Sequence, residues 1–146
     1  MENKEVKSLS RSLLLQKEEL EKVKVDLGKG EFVYVRQMTG RERDNFEQSL
    51  LKKNKDSKGT VIGYEQATED FRAKLAVVTV CDEDGKLLFF PEDYVLLSRN
   101  MSAKRLEIII NAAQKLNAIS EEDKEEILKN SEVAQGDNSN SDFVES

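Results

Sequence analysis

Histidine and tryptophan are absent from the 146-residue chain, and cysteine occurs once, as Cys81. Without histidine, imidazole acid–base catalysis, histidine proton relays and histidine-ligated metal sites are excluded. One cysteine can form neither an intrachain disulfide nor a multi-cysteine zinc site, and a lone thiol fits a reducing compartment. Because the usual catalytic groups are missing, we expect a protein that is not an enzyme and that needs no metal or cofactor.

Long apolar runs are absent as well. No stretch approaches the roughly 20 apolar residues of a membrane-spanning helix. Residues 1–20 lack the uninterrupted apolar segment of a secretion signal. We therefore expect a soluble, cytoplasmic protein without a membrane partner.

Basic charge is scarce at the C-terminal end. The net charge is −6, but residues 131–146 contain four acidic residues and no basic one, and residues 121–130 carry a net charge of −3. Residues 1–120 are left at +1. A nearly neutral body offers no basic field for a nucleic acid, so we expect no nucleic-acid partner.

The length and the hydrophobic content of the chain support a single hydrophobic core of ordinary size. A chain of this length, with 38% hydrophobic residues, can bury enough surface to fold without disulfides or metals. We expect a flexible N-terminal segment or short amphipathic helix within residues 1–20, the helix spanning about 10–20. A single α+β domain over 21–130 and a disordered acidic tail over 131–146 complete the expected organisation.

Alternating residues predict a β-hairpin near the N-terminus. Val23, Val25 and Leu27 alternate with charged residues, and the run EFVYVRQ, which starts at residue 31, is rich in β-branched and aromatic residues. The Gly-Lys-Gly sequence at 28–30 can supply the turn between them.

Helix signals follow this hairpin. Thr39 and Glu42 match the capping box T-x-x-E, which predicts a helix over about 40–52. A polar, glycine-containing break is predicted over 52–63. The apolar spacing of the next residues then predicts a well-buried helix over about 64–80.

Turn residues and helix-capping residues indicate the elements of the second half of the chain. A turn is predicted at 82–85 and a short strand at 87–90. Pro91 suits the first position of a helix, and Ser102 can cap a longer one. A last short helix is predicted over 120–129. The inward residues of the Ser102 helix should be Leu106, Ile109, Ile110, Ala113 and Leu116. The expected fold class is α+β, with the N-terminal hairpin packed on a mainly α-helical core of about four to five helices.

The acidic turn at 82–85 does not fit a calcium loop. Its carboxylates are contiguous, and Pro91 stands where an EF-hand needs its bidentate glutamate. The adjacent Cys81 has no histidine partner. Asp82 and Asp84 should raise its pKa, which disfavours a thiolate nucleophile.

Candidate partner-binding residues lie near both ends of the chain. Leu13, Leu14 and Leu15 are adjacent, so they cannot all face one side of a helix. They either pack on their own domain or form a hydrophobic contact site for another chain. Phe143, with Val144 beside it, is a similar candidate in an otherwise polar segment. The lysines at 52, 53, 55 and 58 are more typical of a solvated loop than of a phosphate site.

Three segments resemble, in order and spacing, the tail assembly chaperones of long-tailed phages and prophages. The run VRQMTGRERDNFE at 35–47 matches the family pattern V-R-x-(M/L)-T-G-x-E-R-D-x-(F/W)-E. The residues from Arg72 to Phe89 match R-A-x-L…D-x-x-G-x-x-L-F, and AQKLN at 113–117 matches A-x-x-L-N. The resemblance covers roughly residues 20–130, and it depends on the combination of motifs.

The resemblance implies a function that composition and periodicity do not. Such chaperones bind the long, aggregation-prone tape measure protein, keep it soluble and help tail tube subunits polymerise around it in the host bacterial cytoplasm. The implied partners are the tape measure protein and the tail tube protein, and self-association is a further option. Two alternatives stay open: a structural tail component retained in the virion, and a small acidic regulatory or inhibitor protein.

Overall fold

A computed structural model describes residues 6–66, 70–119 and 122 of the chain. Helices and strands both occur in it, and it confirms the α+β class. A 3₁₀ turn at Pro91–Asp93 precedes the fourth helix. In chain order the elements are α1 (Arg11–Leu14), β1 (Lys22–Gly28), β2 (Glu31–Arg36), α2 (Gly40–Gln48), β3 (Leu51–Lys55), β4 (Val61–Gln66), α3 (Phe71–Val77), β5 (Val80–Cys81), α4 (Tyr94–Asn100) and α5 (Ala103–Leu116).

Strands β1 and β2 form the predicted hairpin. They pair antiparallel, with Val25 opposite Val33, so that alternate side chains face the helices. Lys29 and Gly30 connect the strands with φ angles of 56° and 77°. Two consecutive positive φ angles match the right-handed twist of the strands they join, and only Gly30 adopts such an angle at no steric cost.

Strand β5 extends this sheet on the far side of β2. Val35 lies opposite Val80 and Tyr34 opposite Cys81, giving the strand order β1-β2-β5. The helix predicted over 64–80 is therefore wrong at both ends. Residues 64–66 belong to β4 and the helix begins at Phe71, while backbone pairing with β2 holds Val80 in an extended conformation. The strand predicted at 87–90 is reduced to an isolated bridge between Leu87 and Cys81.

Helices α3 and α5 pack on each other, and α5 covers the inner face of the sheet. Four of the five residues predicted to face inward from α5 are buried, and Leu116 packs against the core while partly exposed. The core is aliphatic with two phenylalanines: Val25, Val35, Phe46, Leu50, Phe71, Ala73, Leu75, Ala76, Val80, Leu106, Ile109, Ile110, Ala113 and Ile119. Most of these residues lie on helices, as predicted for the core.

A second, two-stranded sheet replaces the polar break predicted over 52–63. Helix α2 ends at Gln48, earlier than predicted, and buried Leu50 anchors the chain before β3 begins. Strands β3 and β4 then pair antiparallel, with Lys53 opposite Tyr64. The side chain of Asp56 accepts hydrogen bonds from the amides of Lys58 and Thr60 at 2.9 Å, which closes the turn between the strands.

The N-terminal helix is shorter than the predicted span of 10–20. Helix α1 is a single turn of four residues, capped by Ser10. One turn gains little from its own hydrogen bonds, and no buried residue anchors it to the core. The predicted helix at 120–129 and the acidic tail at 131–146 lie outside the described residues, apart from Glu122. None of the described helices is long and apolar enough to cross a membrane.

Candidate partner-binding surface

The residues of the run at 35–47 form a structural junction with the end of α5. Arg36 donates two hydrogen bonds to the Glu42 carboxylate, both at 3.0 Å. Glu42 also accepts from the Thr39 amide at 3.0 Å, and the Thr39 hydroxyl accepts from the Glu42 amide at 3.1 Å, which confirms the predicted capping box. Arg43 donates to the backbone oxygen of Asn117 at 2.9 Å. The motif therefore joins β2, α2 and the end of α5.

The environment of Glu42 favours its charged form. Partial burial alone would raise the pKa of this carboxyl group. The hydrogen bonds from Arg36 and from the Thr39 backbone, together with the charge of Arg36, outweigh burial, so the pKa lies below its ordinary value. A charged, multiply bonded carboxylate of this kind stabilises the fold and is not poised to exchange protons near neutral pH.

The predicted contact residues at the N-terminus are exposed. Leu13, Leu14 and Leu15 have 45%, 66% and 67% of their surface accessible, and Leu9 has 44%. None of them belongs to the core or packs against it. Residues 9–15, the leucine segment, thus leave their apolar side chains uncovered by the rest of the described chain. Phe143, the other predicted contact residue, lies outside the described residues.

The lysine cluster lies on a strand and its turn, and not on an irregular loop. Lys52, Lys53 and Lys55 belong to β3, and Lys58 belongs to the turn that follows. All four are exposed, as expected for solvated lysines. We call residues 51–66, which comprise β3, β4 and their turn, the hairpin arm. No described helix or strand packs broadly against it.

The hairpin arm also exposes an apolar group that the sequence did not identify. Val61, Ile62 and Tyr64 on β4 are 41%, 67% and 59% accessible. The sequence signal that could have revealed them is the β-branched run TVIGY after the turn sequence DSKG. An isolated two-stranded hairpin is marginally stable in water, so a ligand that covers this group would stabilise the arm.

The two edges of the hairpin arm differ in character. The edge formed by β3 carries Lys52, Lys53 and Lys55, and lysines on an edge strand discourage the pairing of another strand. The edge formed by β4 carries Val61, Ile62 and Gly63, one acidic residue, Glu65, and no lysine. Because β4 pairs only with β3 in the described fold, its outer edge can accept an added strand.

An apolar groove lies between α2, α3 and the 3₁₀ turn. It has a volume of about 560 Å³, and Glu42 and Glu92 are among the residues that line it. Lys74 crosses one side, with its ammonium group 5.2 Å from the ring centre of Tyr94. The apolar part of the lining consists of Phe46, Val77, Val78, Leu87, Pro91 and Tyr94. The groove can accept an apolar side chain of a partner.

The environment of Cys81 does not favour a reactive thiolate. Cys81 is only 1% accessible, and burial raises the pKa of its thiol, with a further contribution from the charge of Asp82. The direction was predicted, but burial is the larger cause and Asp84 is not among the causes. Asp82 instead organises its turn: backbone amides of Lys86 and Asp84 donate to it and lower its pKa. Gly85 has the positive φ angle predicted for this turn, 86°.

The leucine segment and the hairpin arm therefore expose apolar side chains. In the arm these side chains lie beside lysines that form no ion pair among the described residues. Residues 6–66, 70–119 and 122 contain no cluster of three or more side chains that could ligate a metal ion. Comparisons of the chain with protein-family models, with curated proteins and with solved structures found no match.

Proposed function

We propose that this protein is a tail assembly chaperone of a long-tailed phage or prophage. It binds the tape measure protein, keeps it soluble and helps the tail tube polymerise around it. The resemblance of residues 35–47, 72–89 and 113–117 to that family supports the proposal. The structural observation that carries it is the exposed apolar surface of the leucine segment and the hairpin arm.

These two surfaces have the properties that a chaperone for a long helical protein needs. Such a chaperone must bind the apolar side chains of its client reversibly, because it has to release the client later. Neither a catalytic pocket nor a permanent interface would allow this release. The leucine segment offers leucines on a single helical turn without core contacts. The hairpin arm places Ile62 and Tyr64 beside lysines that keep the free protein dissolved.

The proposal includes a place of action and a set of partners. The protein acts in the cytoplasm of the host bacterium during tail assembly, on the tape measure protein first and the tail tube protein second. It acts by binding alone, without catalysis, cofactor or nucleic acid, and it leaves before the particle is complete.

Co-expression with the tape measure protein tests the proposal. We expect the very long, helix-rich product of the neighbouring gene to be soluble and to co-purify with the wild-type chain. Replacing Leu13, Leu14 and Leu15 by serine, or Ile62 and Tyr64 by serine, should reduce the soluble fraction. Leu88→Ser is the matched control, because Leu88 is 54% accessible but lies outside both surfaces.

Three results would count against the proposal. If the tape measure protein is equally soluble with and without this chain, the chaperone assignment fails. If mass spectrometry of purified virions detects the chain in stoichiometric amounts, it is a structural tail component. Binding to an unrelated basic protein that disappears entirely at high salt would indicate the acidic inhibitor.

A further inference from the structure

The two faces of the hairpin arm carry different side chains. Residues directly opposite each other in an antiparallel pair lie on the same face, and the face changes at each step along a strand. The strand register places Lys53 opposite Tyr64 and Lys55 opposite Val61. These four side chains therefore share one face, together with Leu51, which precedes Lys53 by two residues on β3. We call these five residues the Tyr64 face.

The opposite face is polar, and its charges compensate each other. It carries Lys52 directly opposite Glu65, and Asn54 opposite Gly63. The other carboxylate of the arm, Asp56, accepts hydrogen bonds from the amides of its own turn. The Tyr64 face therefore holds two lysines and receives no carboxylate from the arm itself.

The rest of the described chain does not neutralise these lysines either. The ion pairs found among residues 6–66, 70–119 and 122 all have an arginine as the cation. Lys53 and Lys55 are exposed, and Tyr64 and Val61 are 59% and 41% accessible. The Tyr64 face thus presents positive charge beside uncovered apolar surface.

The charged and the apolar side chains of this face form two parallel rows. Lys53 and Lys55 are alternate residues of β3, so they lie about 6.8 Å apart along the strand. Tyr64 and Val61 lie across from them on β4, at cross-strand Cβ distances of about 5 Å. A ligand that lies along the arm therefore meets lysines on one side and apolar side chains on the other.

An amphipathic helix matches both rows. Helix residues four apart are separated by about 6 Å along the axis, close to the spacing of the two lysines. Residues three and four apart lie on one side of a helix, so carboxylates at i and i+4 lie beside apolar residues at i+3 and i+7. We propose that the Tyr64 face binds an acidic amphipathic helix of a partner protein. The carboxylates pair with Lys53 and Lys55, and the apolar residues pack on Tyr64 and Val61.

A strand added along the edge of β4 would not use the lysines of this face. Such a strand lies two strand spacings, about 9.5 Å, from β3, and its nearest charged neighbour on β4 is Glu65. It would gain backbone hydrogen bonds but no contact between a carboxylate and Lys53 or Lys55. A helix lies over both strands and contacts both rows at once.

This contact specifies which segments of a client the arm binds, and it rests on the proposed function only for the identity of the client. Five side chains cover far less than the roughly 1,200 Å² that stable complexes bury, so binding is weak and reversible. Because the lysines are exposed, salt weakens the charge component of the contact and leaves the apolar component.

Titration of the full-length chain with synthetic peptides tests the contact without the tape measure protein. The probe is an alanine-based helical peptide of about 20 residues, with glutamates at i and i+4 and leucines at i+3 and i+7. Two control peptides keep the leucines: one has lysines in place of the glutamates, and the other has the glutamates on the opposite side of the helix. We expect the probe to shift the amide resonances of both β3 and β4 and to bind at least about fivefold more tightly than either control.

Substitutions on the two faces of the arm provide matched variants. Lys53→Gln with Lys55→Gln should weaken binding of the probe about three- to tenfold, the effect of losing two exposed ion pairs. Lys52→Gln with Lys58→Gln removes the same charge away from the Tyr64 face, and should change binding less than about twofold at physiological salt. Tyr64→Ser should weaken binding at low and high salt alike. The spectra of the free variants show whether β3 and β4 are still paired, and the lysine variants decide the test if Tyr64→Ser separates the strands.

Four outcomes would overturn the proposal. Equal affinity for the probe and either control peptide would do so, as would equal losses from the two pairs of lysine substitutions. Shifts confined to β4 would identify strand addition at its edge, and tighter binding of a short oligothymidylate than of the probe would identify a nucleic acid as the ligand. None of these outcomes alters the co-expression result. Peptide binding without any effect on the solubility of the tape measure protein would keep the acidic helix as the ligand and remove the proposed client.

Discussion

The side-chain oxygen of Asn117 accepts a hydrogen bond from the amide of Met38 at 2.7 Å, although the two residues are 79 positions apart. The Asn117 amide group donates to the backbone oxygen of Ala113 at 2.9 Å, which closes the end of α5. Met38 lies immediately before the capping box of α2. One asparagine therefore fixes the end of the longest described helix against the start of another.

Replacing Asn117 by alanine should destabilise the protein by about 2 kcal/mol, because it leaves the half-buried Met38 amide without its partner. Urea unfolding followed by circular dichroism measures the change. Asn117→Asp keeps an acceptor for Met38 but loses the donor group, so its loss should be smaller. Lys115→Ala, an exposed substitution on the same helix, is the control and should stay within about 0.5 kcal/mol of wild type.

Glu42 should make stability depend on pH in the acid range. Its pKa in the folded protein lies below its ordinary value, because the bonds from Arg36 and Thr39 outweigh its burial. The stabilisation is therefore fully present above the unfolded pKa of about 4.3. It is lost as the pH falls through the lower, folded pKa, since protonation of Glu42 then disrupts its pairing with Arg36.

Glu42→Gln tests this contribution. At pH 7 the variant should be less stable by about 1.5–3 kcal/mol, the range for a hydrogen bond to a charged group. Its stability should also change less than that of the wild type between pH 5 and pH 2.5. Urea midpoints at a series of pH values give both quantities. A variant with the wild-type pH profile would mean that other carboxylates dominate acid unfolding.

Features whose partners lie close together in sequence could be predicted. The capping box joins Thr39 to Glu42, the Ser102 hydroxyl accepts from Arg105 at 3.1 Å, and Gly30 completes a two-residue turn. Each involves a few neighbouring residues, so the necessary atoms appear in one short stretch of sequence. The apolar period of α5 was predicted for the same reason, since residues three and four apart share a helix face.

Features that depend on distant partners were missed. Val80 is extended because it pairs with Val35, and its own apolar surroundings suit a helix equally well. Strand β3 reads LKKNK, without β-branched residues or alternation, and is a strand only because β4 pairs with it. The leucines at 13–15 were identified because three adjacent side chains cannot share one helix face. Ile62 and Tyr64 were not, because their run was divided between a predicted break and a predicted helix.

Two isoleucines provide a matched test of which surfaces are covered. Ile110 on α5 is fully buried, whereas Ile62 on the hairpin arm is 67% accessible. Ile110→Ala removes buried methyl groups and leaves a cavity, so it should cost about 2–5 kcal/mol. Ile62→Ala should cost about 0.5 kcal/mol or less. The comparison uses urea unfolding of both variants, and a large loss from Ile62→Ala would show that the arm is covered in the isolated chain.

Alkylation of Cys81 should report on opening of the sheet. The thiol is buried at the edge formed by β5, and burial raises its pKa, so the folded protein holds little of the reactive thiolate. Iodoacetamide labelling at pH 8, followed by mass spectrometry, should be slow in buffer and fast in urea. A native rate equal to the unfolded rate would contradict the burial of this residue.

The same measurement distinguishes local from global opening when it is repeated on Ile110→Ala. If Cys81 reacts only after the whole core unfolds, a loss of about 2–5 kcal/mol should accelerate labelling by roughly 30-fold or more. If β5 separates from β2 while the helices stay packed, the rate should barely change. We expect the large acceleration, because Val80 and Ile110 belong to one continuous core and the strand cannot leave without exposing both.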